Sequence, residues 1–171
     1  MKLRDKNTNL TIRIIGWIQI LGSFTGCYFI YKLLQQTASI NGLPAIISVT
    51  GILVFFFSFF AGLKLLMSKN RKTGVILSLV NQGAQLFQWS FMGYGFVYTS
   101  FAELSVVLNQ HSLNIDFGMF ESFFSVYLNS SEGIFFKVNI LAALLMVMLY
   151  NIIQDIRTNH PDDLINELNN A

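Results

Sequence analysis

Charge is what this chain has least of. Only 12% of its 171 residues are Asp, Glu, Lys or Arg, against 53% apolar, about half the charged share of an average soluble domain. So few charges cannot coat a globule in water. Cysteine and histidine are scarcer still. A single cysteine, Cys27, excludes an internal disulfide, and the two histidines, His111 and His160, stand far apart without metal-ligand spacing. No metal or other cofactor is implied. The net charge of +2 comes without the clustered Lys and Arg that phosphate binding requires, so a nucleic-acid partner is not expected. No glycine-rich phosphate loop, paired carboxylates or nucleophile beside a histidine can be found, so no catalytic residue is assigned and no enzyme is expected.

Long apolar runs are abundant. Four segments, about 14–34, 43–66, 74–97 and 132–154, each approach the roughly 20 residues that a helix needs to cross a 30 Å hydrocarbon core. Unpaired backbone is costly there, which favours helices. The fold expected is mostly α: a transmembrane bundle of four helices with a small extracytoplasmic β-hairpin or meander cap between helices 3 and 4. The divisions are a basic cytoplasmic lead over 1–13, three transmembrane helices within 14–100, a cap over 101–131, a fourth helix over 132–154 and a cytoplasmic tail helix over 155–171. The connections Gln35 to Pro44 and Ser68 to Lys72 are short enough to make neighbours antiparallel. In the tail, Pro161, Asp162 and Asp163 suit a helix start.

Nine of the Lys and Arg residues (Lys2, Arg4, Lys6, Arg13, Lys64, Lys69, Arg71, Lys72 and Arg157) fall on one side of these segments and two, Lys32 and Lys137, on the other. The bias of basic residues toward the cytoplasm puts both ends there, in a plasma membrane of bacterial inner-membrane type. Lys32, Lys64 and Lys137 are near segment ends, where they can snorkel.

Phe24-Thr25-Gly26-Cys27 resembles a degenerate lipobox, but the apolar run continues through YFIYKLL where a mature lipoprotein would turn polar. A packing seam accounts for more residues. At 100° per residue Gly16, Gln19, Gly22, Ser23 and Gly26 share one face, and Gly22 with Gly26 makes the GxxxG spacing that lets membrane helices touch. Cys27 at its margin is a small hydrophobe.

In the third segment Ser78, Asn81, Gln85 and Gln88 lie within about 80°, with Gln82 beside them. Amides at hydrocarbon depth must face protein or water. They either bridge to neighbouring helices and fix register, or line a water-filled path between copies. The GYG of Gly93-Tyr94-Gly95 resembles part of a potassium-channel filter, but Phe91-Met92 stand where that pattern has Thr-Val, and Tyr94 and Tyr98 suit an aromatic belt.

The connection from Phe101 to Ser131 contains no Lys or Arg. Leu113 to Met119 alternates strictly, as a half-buried strand does, and Phe123 to Asn129 alternates more weakly. An interfacial helix using Phe117, Phe120, Phe124 and Tyr127 is the alternative.

The function expected is that of a non-catalytic multi-pass membrane protein, an accessory or assembly component acting through helix packing and its outer cap. Its partners would be the lipid bilayer and either further copies of itself or another membrane protein. The alternative is a small oligomeric pore, a membrane-permeabilising effector lined by the polar face of helix 3. A reporter fused after Ala171 is expected to read out the cytoplasm; an external readout would reverse the orientation.

Overall fold

The computed structural model describes residues 2–36, 42–67, 71–129 and 133–159. The expected tail helix beyond Asn159, His160, and most of the two inter-helix connections lie outside the described residues. In chain order the elements are α1 (Lys2–Gln36), α2 (Leu43–Leu66), α3 (Arg71–Leu86), β1 (Phe87–Phe91), β2 (Tyr94–Thr99), β3 (Ala102–Asn109), β4 (Leu113–Met119), β5 (Phe123–Tyr127), β6 (Phe135–Asn139) and α4 (Ile140–Asn159).

The four-helix transmembrane bundle is not what forms. Two helices, α1 over Thr8–Gln35 and α2 over Leu43–Leu66, are long and apolar enough to cross a membrane. Helix α3 has 16 residues, and α4 carries only a shorter apolar stretch, Ile140–Ile156. The segment expected as a third span changes from helix to strand between Leu86 and Phe87, and the one expected as a fourth opens with β6. The reason is a change of period inside an apolar window. FQWSF alternates aromatic and polar residues, and FFKVN places Lys137 and Asn139 two apart. A strand can put these polar groups on one face and keep Phe87, Trp89, Phe91 and Phe136 on the other, which a continuous helix cannot do.

The small cap is likewise replaced by a six-stranded antiparallel sheet in the order β4-β3-β6-β1-β2-β5. The alternating run 113–119 coincides with β4 and Phe123–Tyr127 with β5, but the two do not pair; they are the opposite edges of the sheet.

This sheet must coil. Six strands laid flat would put β4 and β5 roughly 24 Å apart at about 4.8 Å per interval. The three residues Phe120 to Ser122 that join them reach at most about 14 Å. Likewise Ser100 and Phe101 carry the chain from β2 past two intervening strands to β3. Both joints use a phenylalanine with positive φ, 76° at Phe101 and 61° at Phe120, a conformation that is unfavourable for a bulky residue. Each joint braces the other. The Glu121 amide donates to the Phe101 carbonyl at 3.1 Å, the Phe101 amide donates to Ser122 Oγ at 3.0 Å, and the two rings meet edge to face at 5.0 Å. Ser122 Oγ in turn donates to the Gly22 carbonyl of α1 at 2.8 Å.

Coiling gives the sheet an inside and an outside. Along β1, Gln88 and Ser90 are buried while Phe87, Trp89 and Phe91 are exposed. On β3, Glu103, Ser105 and Val107 are buried, alternating with Ala102, Leu104 and Val106. Register carries the division across strands: Gln88 opposes Lys137 and Ser105 opposes Asp116 inside, whereas Trp89 opposes Phe136 and Leu104 opposes Phe117 outside.

The helices pack below and beside this cup. Ile12, Ile15, Leu65, Val75, Leu145, Leu149 and Ile152, drawn from all four helices, form one apolar cluster. A second, of Ile30, Phe55, Tyr98 and Phe124, fastens the outer faces of β2 and β5 to α1 and α2. Asn139 caps α4 by accepting the Ala142 amide on Oδ1 at 3.1 Å.

Ser122→Ala removes the acceptor that serves Phe101 and the donor that serves Gly22. It is expected to lower stability by about 1–3 kcal/mol, read as a lower denaturation midpoint, with Ser122→Thr retaining most of it.

Candidate functional site

The polar residues of α3 lead into the interior of the sheet. Ser78, Asn81, Gln82, Gln85 and Gln88 are all at most 3% exposed, and they meet the polar residues of α1 and α2. Gln19 of α1 accepts from Ser78 Oγ on Oε1 at 3.0 Å, and its carbonyl accepts from Ser23 Oγ at 2.6 Å and from Ser58 Oγ at 3.4 Å. Asn81 Nδ2 donates to Ser58 Oγ at 3.1 Å, and Asn81 Oδ1 accepts from the Tyr98 hydroxyl at 2.9 Å. One turn on, Gln85 Oε1 accepts the Ser100 amide at 3.0 Å. The stripe is thus enclosed by its own chain.

The small residues of α1 are also used within the chain. A Cβ on Gly16 would lie 2.7 Å from a Leu66 methyl and 3.3 Å from the Gly62 carbonyl. One on Gly22 would run into Ser100 and Phe101, and one on Gly26 into the Phe55 ring. The GxxxG pair therefore receives a β joint and an aromatic ring rather than a second helix backbone. Cys27 borders the second apolar cluster.

Gln88, the first inward residue of β1, carries the polar chain from α3 to a charged group. Its Nε2 donates to the Tyr98 carbonyl at 3.2 Å, Thr99 Oγ1 at 3.1 Å and Glu103 Oε1 at 3.4 Å. Three acceptors around that nitrogen fix the amide's orientation, and Gln88 Oε1 is left without a protein partner. Glu103, 9% exposed, is the hub. Its Oε2 accepts from Thr99 Oγ1 at 2.9 Å. Oε1 accepts from Ser105 Oγ and pairs with Lys137 Nζ at 2.8 Å. Lys137 also reaches Asp116 Oδ2 at 3.3 Å. A carboxylate so enclosed requires this cation nearby.

Above the hub the coiled sheet encloses a cleft of about 990 Å³. Gln88, Thr99, Glu103 and Lys137 form its polar floor, and Phe29, Val97, Val107, Phe123, Tyr127 and Phe135 line its walls. It opens along the seam between the sheet edges, where Tyr28 and Lys32 of α1, Asp116 of β4 and Phe120 and Glu121 of the linker are exposed. Lys32 Nζ lies 5.5 Å from the Tyr28 ring centroid. Among the described residues no group of three or more His, Cys, Asp or Glu could hold a metal. No protein family, no curated protein and no solved structure matches the chain.

Glu103, Lys137 and Asp116 were not singled out by periodicity as a group. Their signal is period two: Glu103 and Ser105 alternate with Ala102, Leu104 and Val106, and Lys137 alternates with Phe136 and Val138. Reading Lys137 as a snorkelling helix end hid that pattern.

Lys137→Met leaves the Glu103 carboxylate buried without its cation and is expected to cost about 3 kcal/mol. Lys137→Met combined with Glu103→Gln is expected to recover most of that loss. A double-mutant cycle in denaturation midpoints measures the coupling, and additive losses would show that the pair does not act as a unit.

Proposed function

We propose that this chain is an integral membrane protein that binds a small polar-headed molecule in the cleft of its coiled sheet, without carrying out chemistry on it. The observation that carries this reading is an inversion of polarity. Among the described residues sixteen polar or charged side chains are buried beside fifteen apolar ones, while thirty-six large apolar side chains are exposed. In water such an exterior would expose far more contiguous apolar area than soluble monomers tolerate, a few hundred Å² at most. In a bilayer it is the ordinary arrangement.

The exposed faces of the helices fit the same solvent. On α1, Leu10, Ile14, Trp17, Leu21, Phe24, Tyr28 and Tyr31 recur at alternating steps of four and three and are all exposed, forming one apolar stripe from Leu10 to Tyr31. Arg13 and Lys32 lie nineteen residues apart on that helix, about 28 Å along its axis. This spacing matches a hydrocarbon core of roughly 30 Å. The basic residues at the Arg13 level, Lys64, Arg71 and Lys72 among them, would face the cytoplasm, with the cleft mouth opposite.

Binding is favoured over catalysis because the hub carboxylate is already occupied. Glu103 is held by three donors and a cation, which anchors the floor rather than leaving a base free for proton transfer. Gln88 Oε1, an acceptor at the floor, has no protein partner and is closed to water in this conformation, and aromatic side chains line the walls. These suit a ligand with a donor-bearing polar end and an apolar remainder. Native mass spectrometry of detergent-purified protein is expected to show a retained small molecule that is lost from Val107→Trp, where an indole fills the cleft. A bare polypeptide mass in both forms would contradict the reading.

A further inference from the structure

We infer that the bilayer's acyl chains cover the outer wall of the sheet, so that strands as well as helices face hydrocarbon. The inference rests on the membrane reading above and extends it to an element that membrane proteins built from helices do not normally expose.

The wall is formed by β1, β6, β3 and β4. None of the outward residues on these four strands is charged or carries an amide. Phe87, Trp89, Leu108, Ile115, Phe117 and Phe136 are between 40% and 75% exposed on it. The inward residues of the same strands include Gln88, Glu103, Asp116 and Lys137. Apolar outside and polar inside, with period two, is the pattern of a strand wall in lipid; a soluble sheet facing water has the reverse.

A protein partner fits this surface less well than lipid does. Interfaces between proteins are on average about as apolar as other protein surface and carry a polar rim. This wall instead joins the apolar stripes of α1 and α2 in polarity.

Backbone satisfaction is the strongest objection, since an open sheet edge is not tolerated in hydrocarbon. Here each edge has an outlet. The β5 edge is flanked by α1, with Phe29 and Phe123 rings 5.5 Å apart and Thr25 Oγ1 2.6 Å from Ser122 Oγ. The β4 edge borders the polar cleft beside Asp116 and the Phe120 to Ser122 linker. Irregular or unpaired backbone at membrane depth is accommodated where it lines a water-filled cavity. Helix α3 continues into β1 without an intervening residue, and its sixteen residues extend about 24 Å, so the strand begins within a hydrocarbon core of roughly 30 Å and its far end reaches the headgroup level.

The two tryptophans test this directly, because Trp17 is on α1 and Trp89 is on the wall. The full chain carrying Trp89→Phe or Trp17→Phe is placed in phosphatidylcholine vesicles, with or without bromine on the acyl chains, and separately titrated with aqueous iodide. Both single-tryptophan forms are expected to lose emission to the brominated chains and to resist iodide. Loss of Trp89 emission to iodide alone, with Trp17 still quenched by bromine, would overturn the inference and leave the membrane reading standing. Trp89 insensitive to both quenchers would mean that protein, a second copy or a partner, covers the wall, and would also overturn it. Failure of bromine to reach Trp17 would sink the membrane reading itself.

Discussion

Two short connections govern the molecule. Because three residues join the sheet's opposite edges and two residues join β2 to β3, the six strands cannot lie flat. Coiling then decides the rest: alternation sends Gln88, Glu103, Ser105 and Lys137 inward and their aromatic and aliphatic neighbours outward. The cost of holding Phe101 and Phe120 at positive φ is met by a compact brace in which Ser122 links both joints to α1. The cleft and the apolar wall are two faces of one geometric necessity.

Helices and sheet are coupled through polar contacts as well as apolar ones. A chain of hydrogen bonds runs from Gln19 on α1 through Ser58, Asn81 and Tyr98 to Gln88, Glu103 and Lys137, and beside it Gln85 holds the Ser100 amide. In surroundings of low polarity each unmet donor or acceptor costs more than it would in water. The network therefore specifies how the helical half sits against the cup. It also explains why α3 carries so many amides: they face into the chain and add to the contacts of Ser122 with Gly22 and Thr25 a second set of polar contacts between the two halves.

Part of this was legible in the sequence, and the illegible part has a definite physical cause. The stripe on α3 and the seam on α1 could be located because helical period is sampled over many turns. The strand β4 could be located because LNIDFGM alternates without exception. What hydropathy could not show was a helix giving way to a strand inside an apolar run, since a window of Leu, Phe and Val averages the same in either conformation. The clue lay in period, with Gln88 and Ser90 two apart after Asn81, Gln85 and Gln88 spaced by four and three. The cleft was illegible for another reason. Glu103 and Lys137 are thirty-four positions apart and meet only through pairing of β3 with β6.

The place of β6 constrains the order of events during synthesis. Of the six described strands it is the last made, yet it lies in the middle of the sheet, between β3 and β1. Until Phe135–Asn139 leaves the ribosome, β3 with β4 and β1 with β2 and β5 remain separate ribbons, each showing an unzipped edge. Closure brings together segments distant along the chain, a step that is slow and exposes such edges to wrong pairings. Until Phe135–Asn139 is threaded between them, the two halves of the sheet cannot close.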